Sequence, residues 1–190
     1  MKKILGAGVL LTLAACQTFE TPESQRVAVS FSGSGYNSVA NQYYPHATFA
    51  EVLQYDSGEE FLFVEVDDKV WSDAFKSYQP RRITFAKAHT AEYIAAIDKF
   101  DEWSKIATQD GDMITKEIAR VPTYNGKVRF QMHSGNASAH YLVTDFCLNM
   151  CLSDTPISFA HDDAMKLRDT LAAFGRGELA IDPNQSDKYQ

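Results

Sequence analysis

Between Gly126 and Val143 apolar and polar residues alternate on both sides of Gly135-Asn136, and this stretch constrains the fold more than any other. A period of two belongs to a half-buried strand, and a Gly-first dipeptide suits a two-residue type II′ turn. With that turn Met132 faces Ala139, Phe130 faces Tyr141 and Val128 faces Val143, giving an apolar face. The other face pairs His133 with Ser138, Gln131 with His140 and Arg129 with Leu142, and is mostly polar. One dry and one wet face is the signature of an antiparallel sheet, and the dry face must be covered by another layer. Ile114 to Val121 reads as the preceding strand, closed by Pro122 and turned by Asn125-Gly126.

Further strands lie upstream. Val27 to Phe31 alternates and reads as a first strand, followed by a loop at Ser32-Gly33-Ser34-Gly35. Phe49 to Tyr55 and Phe61 to Val66 flank Asp56-Ser57-Gly58-Glu59, the composition of a hairpin connection. Leu53, Leu62 and Val64 are placed on one face and Val52, Phe61 and Phe63 on the other, both apolar, so the pattern leaves the register open. Trp71, Phe75 and Tyr78 before Pro80 read first as a lid over a sheet and second as an aromatic binding edge.

Two helices are predicted. Thr90 is a candidate N-cap for a helix to about Ala107, with Tyr93, Ile97 and Phe100 on one stripe and a stop at Gln109-Asp110-Gly111-Asp112. The second begins near Asp162-Asp163, where carboxylates suit the positive helix end, buries Ala164, Leu167, Leu171 and Phe174, and stops at Gly175. Ile83-Thr84-Phe85-Ala86 and Ile157-Ser158-Phe159-Ala160 stand at the same distance from these stripes. The match reads as an internal strand-helix duplication. The expected class is α+β, an antiparallel sheet built from hairpins with two main helices.

The N-terminus carries a different message. Lys2 and Lys3 precede an apolar stretch from Ile4 to Ala15, and Leu13-Ala14-Ala15 leads into Cys16. The stretch is shorter than the ~20 residues of a membrane-spanning helix. It resembles the signal peptide and lipobox of bacterial lipoproteins. The resemblance covers residues 1 to 17 and implies cleavage before Cys16, acylation of that cysteine and anchoring in a bilayer through its acyl chains. Gln rather than Asp at position 17 implies the outer membrane, with the domain facing the periplasm. The chain then divides into a signal peptide (1–15), a lipidated tether (16–25) containing Thr21-Pro22-Glu23, a single α+β domain (26–180) and a polar tail (181–190).

Without the leader, 175 residues remain, enough for one sizeable core. Loss of Lys2 and Lys3 takes the 18 basic side chains to 16 against 25 acidic ones, a formal charge of −9. Such a chain lacks the clustered Lys and Arg that nucleic acid requires. Lipidation of Cys16 also reduces three cysteines to the pair Cys147 and Cys151. A disulfide is the default in an oxidising compartment. Residues four apart on a strand are separated by about 13 Å, beyond the ~7 Å a disulfide tolerates, so Leu148-Asn149-Met150 must turn. A reduced core pair and a redox or metal site are the alternatives.

Candidate chemistry is sparse. On the register above, His133 and His140 are diagonal neighbours on the polar face, about 7 Å apart, and are candidate metal ligands that need a third partner. His161-Asp162-Asp163 reads as helix capping before an acid/base cluster. There is no Gly-x-Ser-x-Gly, Ser-x-x-Lys, His-Glu-x-x-His or P-loop sequence, and no cofactor signature. The expected function is a membrane-anchored envelope protein that engages a protein partner or serves an accessory role. A periplasmic small-ligand or metal-binding module comes second, and an envelope hydrolase of unfamiliar type third.

Overall fold

A computed structural model describes residues 22–72, 75–151 and 156–182. Residues 1–21, which include the expected signal peptide, Cys16 and most of the expected tether, and residues 183–190 of the expected tail lie outside the described residues. Among the described residues ten strands, β1 (Glu23–Val27), β2 (Ser34–Asn37), β3 (Gln42–Pro45), β4 (Thr48–Gln54), β5 (Glu60–Ser72), β6 (Ser77–Ala86), β7 (Thr115–Thr123), β8 (Gly126–Asn136), β9 (Ala139–Cys147) and β10 (Ile157–Ala160), accompany two α-helices, α1 (Thr90–Asp110) and α2 (His161–Gly175), and a single 3-10 turn at Lys87–His89. The fold is α+β. Among the described residues no helix is long and apolar enough to cross a membrane.

All strand pairings are antiparallel, in a four-stranded sheet of order β1-β4-β5-β6 and a six-stranded sheet of order β3-β2-β10-β9-β8-β7. The same order of elements occurs twice. β1-β4-β5-β6-α1 and β7-β8-β9-β10-α2 are each four antiparallel strands, neighbours in order, followed by a helix. The β2-β3 hairpin interrupts the first unit and joins the sheet of the second, where Ser34 pairs with Ser158.

The helix stripes bury as predicted. Tyr93, Ile97, Phe100, Leu167, Leu171 and Phe174 are all fully buried, in one apolar cluster with Leu62, Val64 and Phe85 of the first sheet and Phe130, Leu142 and Phe159 of the second. Tyr93 ties the two sheets together. Its hydroxyl accepts from the Ala86 N–H at 3.1 Å and donates to the Pro122 carbonyl, and the Thr123 hydroxyl donates to the Thr84 carbonyl at 2.5 Å. At the start of α1, Thr90 is inside the helix and its hydroxyl donates to the Lys87 carbonyl at 3.1 Å, so it is not the cap. The left-handed residue after α2 is Gly177 (φ 77°), not Gly175. Gly175 is small for another reason: a Cβ there would lie 2.7 Å from Thr90 Oγ1 on the neighbouring helix.

Several sequence expectations are corrected. The first strand is Glu23–Val27 and not Val27 to Phe31, so the chain joins the sheet inside the span read as tether; as an edge strand β1 tolerates its polar residues. Ser34 and Gly35 belong to β2 and are buried, and a Cβ on Gly35 would lie 2.2 Å from Asp68 Oδ2. In the β4-β5 pair Val52 faces Leu62 and Ala50 faces Val64 on the buried side, whereas Leu53 faces Phe61. β7 continues through Pro122, permitted because β7 is an edge strand. Trp71, Phe75 and Tyr78 are 53%, 72% and 66% exposed around the β5-β6 tip, so they do not form a packed lid.

The largest correction is the register of β8-β9. The turn falls on Ala137-Ser138 because the Asn136 side chain accepts from the Ser138 N–H at 2.9 Å and the Ser138 hydroxyl at 3.1 Å, building an Asx turn. Gly135 lies at a register irregularity between the Ser134–His140 and Asn136–Ala139 pairs. Met132 therefore meets Leu142, Phe130 meets Thr144 and Arg129 meets Asp145. The odd-numbered shift leaves the β8 core face as predicted and reverses every side chain of β9.

Beyond β9, Cys147 and Cys151 form a disulfide, their Cα atoms 3.9 Å apart. The intervening residues bend as the spacing required, leaving Leu148 and Met150 exposed.

Candidate functional site

Reversing β9 separates the two candidate metal ligands. His133 stands on the outer face of the six-stranded sheet opposite Tyr141, with Nδ1 2.8 Å from the Thr115 hydroxyl. His140 faces inward, 5% exposed, its Nδ1 2.8 Å from Ser134 Oγ and its Nε2 3.0 Å from Thr108 Oγ1. The expected diagonal pair does not exist. Among the described residues no group of three His, Cys, Asp or Glu is placed to hold a metal.

The reversal also brings Tyr141 and Val143 to the outer face, and the inserted β2-β3 hairpin places Tyr36 and Tyr43 beside them. Tyr43 stacks on Tyr141 with ring centres 4.0 Å apart and planes at 28°. Tyr36 lies 5.1 Å from Tyr43, and the His133 ring 6.2 Å from it. With Asn41, Gln42, Asn136 and Ala139 they line an open cleft of about 700 Å³. A continuation of about 250 Å³ runs over Gln131, Ser158 and Arg81. Arg81 is committed there to Asp68 at 2.8 Å and to the Pro156 carbonyl at 2.7 Å.

Local chemistry explains this hairpin. The Asn37 side chain accepts from the Val39 and Ala40 N–H groups, both at 3.0 Å, and Asn41 takes a left-handed φ of 52°, a conformation Asn tolerates. Burial raises the Tyr43 phenol above its ordinary pKa, partly opposed by a hydrogen bond with Ser158, so the ring stays neutral. Asn37 and Asn41, inside the short run from Tyr36 to Tyr43, are the sequence signal for this element.

A second cluster lies on the inner side between α1 and the sheet. A cleft of about 420 Å³ is lined by Ser104, Lys105, Thr108, Ser138, His140 and His161. His161 does not cap α2. Its Nε2 lies 2.8 Å from Asp101 on α1, and Lys105 donates to the same carboxylate at 2.6 Å. These two hydrogen bonds hold the Asp101 carboxyl below the usual carboxylate range. Acid and base converge here as a hydrolase would require, but each is committed elsewhere: Asp101 to Lys105 and His161, and both His140 nitrogens to hydroxyls. Among the described residues the buried Ser104 hydroxyl has no hydrogen-bond partner.

His140 makes a pH prediction. Burial first, and the charge of His161 second, hold its pKa below the ordinary 6.5. Below pH 6.5 the unfolded chain therefore binds more protons than the folded one. Its stabilisation is complete above that pH and is lost as pH falls through the folded value. Thermal midpoints measured from about pH 7.5 down to about pH 5 are expected to fall, and His140→Asn is expected to flatten that slope. An equal slope in the variant would assign the acid sensitivity to another group.

The sequence matches no protein-family model, and a search of curated proteins found no match.

Proposed function

We propose that this chain is a lipid-tethered envelope module that binds a small polar ligand on the outer face of its six-stranded sheet. The tyrosine cleft carries the reading. It is concave, within the ~300–1,000 Å³ range of small-molecule sites, and it gathers three phenol rings and three side-chain amides from two hairpins. Amphipathic rings provide contact area at low entropic cost, and amides provide paired donors and acceptors. The lipobox resemblance at Leu13 to Cys16 supports the tether. Glu23 follows Cys16 by seven residues, a reach of at most ~25 Å.

One observation favours a second reading, docking on a protein partner. Glu23 is in register with Gln54 and Glu60, whereas Trp71, Phe75 and Tyr78 surround the opposite end of β5-β6. Twelve residues of strand separate the two ends, about 35–40 Å, so this exposed aromatic tip points away from the tethered end.

Both readings meet in one measurement. The full chain carrying Cys16→Ser, labelled for NMR, is titrated with a detergent extract of the bacterial envelope. Shifts are expected at Tyr36, Tyr43, His133 and Tyr141. Shifts confined to Trp71, Phe75 and Tyr78 would replace the ligand reading with the partner reading, and a spectrum unchanged at both would defeat both.

A further inference from the structure

We infer that the ligand class of the tyrosine cleft is a neutral oligosaccharide, an inference that rests on the ligand-binding reading above. Charge decides first. Nearly a quarter of the chain, 23%, is Asp, Glu, Lys or Arg, yet none of the ten residues lining the main cleft is one of these. Nucleotides, phosphorylated metabolites and free amino acids carry full charges, and burying these without a partner is costly. The arginine that lines the continuation, Arg81, is already neutralised by Asp68.

The remaining choice is between a greasy ligand and one with both polar and apolar surfaces. The side-chain carbonyls of Asn41 and Asn136 are already taken, by the Tyr36 hydroxyl and by Ser138, but among the described residues their NH2 groups and the Gln42 amide have no partner and line the same trough as the rings. A purely apolar ligand would leave them unpaired, a loss of about 1–3 kcal/mol for each group cut off from water. A pyranose ring meets both demands. Its flat C–H face fits the electron-rich face of an aromatic ring, and its rim of adjacent hydroxyls pairs with amides that both donate and accept. Tyr36 is 52% exposed and offers an open ring face, while Tyr43 and Tyr141 are stacked on each other and form the wall beside it. The continuation past Gln131 and Ser158 extends the polar floor beyond the tyrosines, so the site suits a chain of sugars better than one ring.

The test is calorimetric titration of the full chain carrying Cys16→Ser with three neutral tetrasaccharides: maltotetraose, cellotetraose and the β-1,4-linked N-acetylglucosamine tetramer. An N-acetylated, C-amidated tetraalanine serves as an uncharged peptide. At least one saccharide is expected to bind. Tyr36→Ala, at an exposed position where folding is not at stake, is expected to weaken it about tenfold. Tyr36→Phe, which keeps the ring, should stay within about twofold, as should Tyr78→Ala outside the cleft. Saccharide binding insensitive to Tyr36→Ala would overturn the assigned site. Binding of the peptide with no saccharide bound would overturn the sugar class and leave the ligand reading standing. Binding of neither would remove both.

Discussion

Replacing Phe130 by alanine is expected to lower the unfolding free energy by about 3–5 kcal/mol, read as a reduced urea midpoint at unchanged slope. The size of the effect follows from position. Phe130 is fully buried, its ring centre 6.4 Å from Phe85 of β6 and 5.8 Å from Tyr93 of α1. It therefore sits where the last strand of the first unit, the helix that follows and the sheet of the second unit converge. The cavity left behind would be walled by three elements already held by the hydrogen bonds of Tyr93 and Thr123, and such a site collapses poorly. If the loss stays below about 1 kcal/mol, this junction is not where the two units are coupled.

Arg129→Ala is expected to cost a similar amount, about 3–5 kcal/mol, through electrostatics instead of packing. Arg129 directs Nε and Nη2 to one oxygen of Asp145, Nε at 3.0 Å, and Asp145 is only 2% exposed. The other Asp145 oxygen is buried without a partner. Deleting the guanidinium would leave a buried carboxylate without its counter-charge. The double variant Arg129→Met/Asp145→Leu removes both charges and is expected to recover most of that loss, because an apolar pair of similar volume often matches a buried ion pair. A double variant as unstable as Arg129→Ala would show that packing, not the stranded charge, sets the cost.

The same pair shows what sequence reading missed in β9. The dipeptide Gly135-Asn136 predicts a turn that sets Arg129 opposite Leu142. Setting unlike charges across the strands would have selected the observed register, with Arg129 opposite Asp145 and His140 facing the core. The Asx turn at Asn136 places the reversal two residues on, an even shift that alone would keep each face, and the extra residue at Gly135 makes the shift in register odd and so inverts the whole strand. Helices do not share this weakness. Ala164, Leu167, Leu171 and Phe174 lie buried on α2, and Tyr93, Ile97 and Phe100 on α1, whatever their neighbours are, because the stripe is set within one segment. The disulfide was legible for the same local reason, four residues being too few to leave any geometry but a turn.

The candidate site belongs to the other category. Tyr36 and Tyr43 lie about a hundred residues from Tyr141, and nothing in either segment specifies that the β2-β3 hairpin leaves its own unit to pair with β10. Sequence by itself determined the two helices, the strands from β4 to β10 in outline, which face each helix and β8 bury, and where the cysteines must turn. Tertiary structure alone decided the parity of β9, the opposite faces of His133 and His140, and the gathering of three tyrosines into a cleft. Periodicity is set by each segment's own side chains. Register and strand order follow from contacts between residues far apart in the chain, whose energies exist only once the core is assembled.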